Sequence, residues 1–533
     1  MINKPIMRIM NAGRLAVCLA VMFQAAIAVP AQVTLGDAPP APTDLTGLPG
    51  GGPRPLVVTG GFTVDTTSRE QVREFYNTVY LATVGVAINS TAVVANCVPG
   101  TNSPLFANAT LRRLNWFRAM AGIPAAVTFD AGESGQDQSA ALMMAAQGAL
   151  QHTGNWTGWN CLSADGTNAA RNSNLALSYN GPDAISVYMC DFGANNYEAG
   201  HRRWLLYPQT QIMAAGDVPA QGSDYSANAT WVFDANYGGP RPATRTNYVA
   251  WPPPGYVPYQ AVYPRWSFAL ANAGFTNATV TMTSGGLPMA VTQETYVAGY
   301  GENTLVWHPA GLDPTTATTF PFSGTDTVYS VTISNVVTAA GTNSYSYHVT
   351  LFDPAVPGAD YAPLVISGTN QPIVNTATTY SCTPSANPNS TSYQWISAQL
   401  TNGNMLVNMV TNTTASTNLI FTPTQTGTYT LQAQRILFGE FPVDPSTNRQ
   451  VTVMAGPPLI TLKTPVITGG LVKINFTLVS GTATNFHLLQ ANQLGGGWTT
   501  NGTAVFTTNV AGSSYQFTTT NGPVTRFYRV QTP

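Results

Sequence analysis

This sequence predicts a multidomain fold, mixed α+β at its N-terminal end and all-β thereafter, and three observations carry that prediction. The chain has 533 residues, and at roughly 150 residues per domain this length calls for about three to four domains once a leader is set aside. Helical spacing of apolar residues is confined to residues 68–210. After about residue 250 the pattern changes to alternating Thr-, Val- and Tyr-rich runs separated by Gly, Asn and Pro turns. Charged residues make up only 8% of the chain against 44% hydrophobic. Soluble proteins average about 25% charged, so charge-driven disorder is excluded and the chain has apolar material for several cores. Lys+Arg 21 against Asp+Glu 23 leaves a net charge of −2, which provides no basic field to hold nucleic acid or an anionic membrane.

Residues 1–28 read as a secretory signal peptide. Lys4, Arg8 and Arg14 precede an apolar stretch over 15–28, and Ala26-Ile27-Ala28 supplies the small-x-small pattern that signal peptidase requires. At about 1.5 Å per residue that stretch covers about 21 Å, short of a hydrocarbon core of roughly 30 Å. Lipidation at Cys18 is disfavoured because Val17 is large and the apolar run follows the cysteine. No later segment approaches the length of a membrane span, so the mature chain is expected to have no transmembrane segment. Its expected location is secreted, extracellular or in the cell envelope, and its source bacterial. Residues 29–65, rich in Pro, Gly and Thr, read as a linker.

The next span, 66–250, is the mixed domain. Ser68-Arg69-Glu70-Gln71 forms a capping box, and Val72, Phe75, Tyr76 and Val79 follow at helical spacing. Leu111, Leu114, Phe117 and Ala121 repeat the helical pattern. The Ala/Met/Leu-rich run 139–150 predicts a helix closed by His152, and 182–189 predicts a short one. Thr230-Trp231-Val232-Phe233 reads as a strand. Trp251-Pro252-Pro253-Pro254-Gly255 is a stiff connector into a β-sandwich domain over 256–355. A second sandwich follows over 358–455 and a C-terminal β domain over 458–533, with Pro/Gly breaks between them. Over 358–455, Cys382, Trp395 and Gly427-Thr428-Tyr429-Thr430-Leu431 resemble an immunoglobulin-like domain with its tyrosine corner. There Leu431 stands where the second cysteine would be, which leaves Cys382 as a buried free thiol. Of the remaining cysteines, Cys97 with Cys161 is the favoured pair and Cys161 with Cys190 the alternative, since spacing does not fix connectivity.

Histidine is scarce, five in the chain, and His152 and His201 both fall in the mixed domain. They are too far apart for a local ligand motif, so any shared site depends on the fold. No G-x-S-x-G elbow occurs to support a serine nucleophile. Arg202, Arg203 and Trp204 read as the charged end of an element whose Leu205, Leu206 and Tyr207 enter the core. His308, His348 and His487 read as ordinary strand residues, and Trp266, Trp307 and Trp498 suit either sugar stacking or core anchoring.

Four segments in order resemble the CAP superfamily of SCP-like extracellular domains, whose fold is an α-β-α sandwich. They are Leu114-Asn115-Trp116-Phe117-Arg118-Ala119-Met120-Ala121-Gly122, the run 138–152, Asn172-Ser173-Asn174-Leu175-Ala176, and Tyr188-Met189-Cys190-Asp191 followed by Gly200-His201-Arg202. The resemblance covers roughly residues 68–240. It implies a cleft in which two histidines and two acids meet, with His152 and His201 able to hold zinc or another divalent cation and Asp191 as one acid. Ser173 stands where the other acid should be, which removes a general base and a negative charge from the cleft. Glu198 reads as a surface residue.

The expectation drawn from these residues is a secreted modular CAP/SCP-like protein. Its two-histidine cleft would bind an extracellular or envelope ligand (peptide, lipid or glycan), with metal as a possible cofactor. One alternative is a metal-assisted, peptidase-like hydrolase that uses His152, His201 and Asp191, with Ser173 as a further catalytic candidate. A second alternative is an adhesin whose β modules carry the function.

Overall fold

The computed structural model describes residues 35–50, 60–401, 406–481, 483 and 485–532; the expected leader lies outside the described residues. The chain forms two compact units, one ending at Val356 and one beginning at Pro357. Among the described residues the fold is β-rich, in several sheets, with the α-helices confined to the first unit. No described helix is long and apolar enough to cross a membrane.

In the first unit the helix starts follow from their capping residues. Ser68 accepts from the Gln71 amide and opens α1 (Arg69–Phe75). Ser103, with Pro104 in the first turn, opens α2 (Pro104–Ala121), which closes on Gly122 at φ 76°. Asp130 accepts from the Gly132 and Glu133 amides at the start of α3 (Ala131–Gln147), and Ser163 caps α4 (Ala164–Asn172). Two helices follow, α5 (Gly181–Cys190) and α6 (Gly200–Leu205). The helix expected to run up to His152 stops earlier, because Gly148 takes the left-handed conformation (φ 66°) that terminates α3. His152 therefore sits in the loop beyond it.

Five short strands complete this region: β1 (Thr128–Phe129), β2 (Ser173–Leu177), β3 (Ile212–Met213), β4 (Gly216–Val218) and β5 (Ala227–Trp231). The strands β2, β5 and β4 form an antiparallel sheet in that order, with Ser173 opposite Trp231. Helix α3 covers one face, where Ala140, Ala141 and Met144 share a core with Leu175, Ala229 and Trp231. Helix α5 covers the other, and its Tyr188 hydroxyl lies 2.7 Å from Asn228 Oδ1. Cys97 and Cys161 form a disulfide, while Cys190 and Cys382 are free and buried.

Nine further strands build a sandwich in the same unit: β6 (Val249–Trp251), β7 (Gly255–Pro258), β8 (Trp266–Ala269), β9 (Thr279–Ser284), β10 (Leu287–Met289), β11 (Val291–Gln293), β12 (Thr304–Pro309), β13 (Thr327–Thr338) and β14 (Gly341–Phe352). Their sheets run β10-β9-β13-β14-β7 and β11-β12-β8-β6. Trp266 and Trp307 are fully buried with Phe268, Val331 and Leu351, so these two tryptophans are core anchors.

The stretch around 251–255 does not act as a free connector. Trp251 is buried in β6, and buried guanidinium groups join the helical part to the sandwich. Arg202 donates to Met189 O (2.7 Å), Cys190 O (3.1 Å) and Ser267 Oγ (3.1 Å). Arg203 donates to Tyr300 O and Val297 O, both at 2.9 Å. From the sandwich side, Arg265 donates to Asp191 O and to Gly193 O (2.8 Å). Arginine suits this role because one planar group carries five donors and no acceptor.

The second unit holds two sandwiches. In the first, Tyr380, Cys382, Trp395, Phe421 and Leu431 share one core, and the Tyr429 hydroxyl donates to Gln425 O at 3.3 Å, four residues upstream. In the second, Phe476, Phe486, Tyr515 and Phe517 form the core.

Replacing Arg202 by Met leaves Met189 O and Cys190 O without their donor inside the protein. The expected loss is about 3 kcal/mol, read as a lower urea midpoint of the full chain. Arg202→Lys should restore little of it, since one ammonium does not reproduce the planar fork.

Candidate functional site

The site is built where α5 ends and α6 begins. Asp191 caps α5 in the left-handed conformation (φ 56°), its amide bonded to Val187 O at 2.8 Å. Ala199, also left-handed at φ 54°, precedes α6. A non-glycine residue in this region is uncommon, and two of them fix the approach of the two helix ends. The Asp191 carboxylate is divided between His201 and the next backbone group. Oδ1 lies 2.8 Å from His201 Nδ1, and Oδ2 accepts from the Arg202 amide at 3.0 Å. The imidazole stacks on Tyr188 (5.4 Å between centroids, 14° between planes), and His201 O accepts from Asn174 Nδ2 at 3.2 Å.

A carboxylate against Nδ1 fixes a proton there and turns His201 Nε2 to the far side of the ring. That nitrogen is buried and has no hydrogen-bond partner among the described residues. Glu198, read from sequence as a surface residue, is only 5% exposed. Burial holds its carboxyl above the ordinary range, and the nearby Asp191 and Asp37 raise it further while His201 opposes them. Relative to an exposed glutamate, Glu198 is thereby shifted toward its neutral form.

His152 reaches the same neighbourhood from the loop after α3, but it does not offer a free nitrogen. Nδ1 lies 2.6 Å from Ala170 O and Nε2 2.7 Å from Asp37 O. Burial holds its pKa below the ordinary imidazole value against the pull of these two carbonyls. Among the described residues, His152, His201, Asp191 and Glu198 do not bring three ligand atoms to one point. The zinc or divalent-cation set implied by the resemblance is therefore not assembled: one histidine has both nitrogens engaged, and the aspartate is turned to the other histidine's inner nitrogen.

Ser173 is placed elsewhere. On β2 successive side chains point to opposite faces. Asn174 reaches His201, whereas Ser173 points the other way and its hydroxyl donates to Asp137 Oδ1 at 2.6 Å. Asp137 Oδ2 accepts from the Trp231 amide at 2.9 Å. Burial pushes the Asp137 carboxyl up to about 8, against the pull of those two donors. Asp217, which accepts from Gly181 N and from Asn228 Nδ2 (2.8 Å), is pushed by burial up to about 6. Cys190 is a buried thiol pushed up to about 12, chiefly by desolvation, and so is a poor nucleophile. Asp137 and Asp217 escaped the sequence reading because acids inside such a fold carry no motif.

The geometry brings together His201, Asp191, Glu198 and, at its rim, His152. In comparisons with known proteins, no family model and no curated protein sequence matches the chain.

Two outcomes follow. Asp137 and Asp217 have folded-state values above those of the unfolded chain, so their contribution is whole below about pH 4 and is lost as pH rises. Stability should fall by about 1.4 kcal/mol per pH unit for each group. The loss should run to about pH 6 for Asp217 and to about pH 8 for Asp137, and Asp137→Asn should flatten the upper part of the urea-midpoint profile. The second concerns metal: the full chain should bind zinc no more tightly than the His152→Ala/His201→Ala variant by calorimetry. Stoichiometric zinc lost in that variant would show that the ring nitrogens exchange partners.

Proposed function

We propose that this protein is a secreted or envelope-facing CAP-like binding protein whose ligand is held at the cleft around His201, without a resident metal. The observation that carries this reading is His201 Nε2, a buried ring nitrogen with no partner among the described residues, on a ring fixed by Asp191 and Tyr188. Native interiors rarely leave such a group unpaired, and a site that does so is suited to a ligand that supplies the missing partner. Glu198 adds a buried carboxyl in the same electrostatic field, its pKa raised by burial. A ring nitrogen and a carboxyl in one low-dielectric site suit a polar ligand that can pair with both, and amide chemistry, with its donor and acceptor, is the best match.

The four segments resembling the CAP superfamily, and helices on both faces of the β2-β5-β4 sheet, support the family reading. The extracellular setting is supported by the leader-like residues 1–28 and by the Cys97–Cys161 disulfide, since such bonds persist in oxidising compartments. Binding is favoured over hydrolysis because the serine candidate lies on the opposite face of β2 from the histidine.

Three probes, one for each ligand class, test the reading on the full chain: phosphatidylglycerol vesicles, an N-acetylglucosamine oligomer and an Ala/Pro-rich decapeptide. At least one is expected to bind, with affinity falling about tenfold or more in His201→Phe and in Glu198→Ala. Binding unaffected by both substitutions would move the ligand site away from this cleft.

A further inference from the structure

The groove formed by His152, Asn195, Gly200 and Trp204, beside His201, already has an occupant, and it is part of the same chain. Residues 35–42, Leu35-Gly36-Asp37-Ala38-Pro39-Pro40-Ala41-Pro42, belong to the stretch read from sequence as a linker, yet Leu35 is 1% and Ala38 3% exposed. From Gly36 to Pro42 the segment forms neither helix nor strand. It is gripped mainly through its carbonyls: His152 Nε2 lies 2.7 Å from Asp37 O, and Trp204 Nε1 donates to Pro39 O at 2.9 Å. Asn195 donates to the Asp37 side chain at 2.7 Å. Leu35 bridges antiparallel to Ala176 on β2, the outer strand of its sheet.

These contacts share a chemistry. Three of the eight residues are prolines, which lack an amide donor, so the segment is recognised by donors that the groove supplies to its carbonyls. An imidazole on the Asp37 carbonyl and an indole N–H on the Pro39 carbonyl, beside the outer strand of a sheet, are the kind of groups by which proteins read extended proline-containing peptides. Gly200 completes the seat. A Cβ there would lie 2.6 Å from Ala38 Cβ and 3.0 Å from the Tyr300 ring, so the absence of a side chain is what admits Ala38. Beyond Pro39 the fit ends. Residues 40–48 span a cavity of about 490 Å3, lined in part by Thr153, Arg171 and Trp231, without filling it.

We propose that this groove is a binding site for extended, proline-containing peptides, and that residues 35–42 occupy it in cis as a tethered competitor. The proposal rests on the reading of the cleft as a binding site and names the ligand class. A segment tethered next to its seat acts at an effective concentration on the order of 1 mM, so a free peptide must displace it. The apparent affinity for a second peptide is then lowered by the fraction of molecules in which the groove is open.

The test uses the full chain and a fluorescein-labelled peptide with the sequence of residues 35–42. Ala38→Arg sets a long charged side chain against Gly200 and Tyr300 and ejects the tethered copy, while the labelled peptide keeps its alanine. Fluorescence anisotropy should show the peptide binding Ala38→Arg at least tenfold more tightly than the unsubstituted chain. Adding Gly200→Ala should remove that gain, and adding Asn195→Ala, at an exposed residue, should reduce it at least threefold without threatening the fold. Hydrogen exchange at residues 35–38 in the same samples should show protection in the unsubstituted chain and release in Ala38→Arg. Release without tighter peptide binding overturns the proposal. So does a segment unprotected in the unsubstituted chain, or one still protected in Ala38→Arg, because the Gly200 contact would then not be what seats it. If the peptide binds Ala38→Arg but is indifferent to His201→Phe, the His201 reading fails while the peptide groove stands. If His201→Phe abolishes binding of another probe and the peptide never binds, the reverse holds.

Discussion

A guanidinium buried among backbone carbonyls is stable only if nearly every donor finds an acceptor, and the first unit satisfies that demand at several arginines. Arg118 donates to four carbonyls, Pro124 O, Leu205 O, Tyr207 O and Thr210 O, at 2.8–3.0 Å. Arg202 and Arg203 reach from α6 to the end of α5 and across to the sandwich. In a chain with so few charges, these cations are placed inside rather than spread over the surface. Irregular backbone between elements thereby gains partners that a ladder would otherwise provide, which permits helical and β regions to share one compact unit.

The same constraint shapes the site. Asp191 is held through its carbonyl by Arg265 and through its carboxylate by the Arg202 amide. With the carboxylate so fixed, His201 has one orientation, and its outer nitrogen is held buried on the far side of the ring. A histidine oriented by a buried carboxylate is a general device for aiming the other ring nitrogen in a chosen direction. Here that direction has no metal companion, because the other histidine is turned to two peptide carbonyls.

Two further buried acids, one on each face of the sheet, serve the fold. Asp137 and Asp217 sit at full burial with backbone and side-chain donors aimed at them, and both carboxyls are pushed toward the neutral form. Such groups specify how β2, β4 and β5 meet α3 and α5, since any shift would strand a buried polar atom. In the second unit apolar packing does that work, with Trp395 and Tyr429 anchoring one sandwich and stacked phenylalanines the other.

The sequence by itself determined what depends on neighbours along the chain. Ser68 with Gln71, Ser103 before Pro104, and Gly122 after α2 are local signals, and the helices obey them. The alternation beyond residue 250 likewise yields strands, and the spacing of Cys382, Trp395 and Tyr429 yields one buried core. The run 139–150 misled only at its end, where Gly148 outweighed the apolar residues that follow. Tertiary structure alone decided which way Ser173 and Asn174 face, because β2 is buried on both sides and its sequence shows no alternation to read. It also decided the burial of Glu198, the engagement of both His152 nitrogens, and the seating of residues 35–42 on the cleft. His152 meets Asp37 across 115 residues and Trp204 meets Pro39 across 165. Contacts at that separation leave no trace in local periodicity; they exist only once folding has brought distant segments into one place and required their polar atoms to find partners.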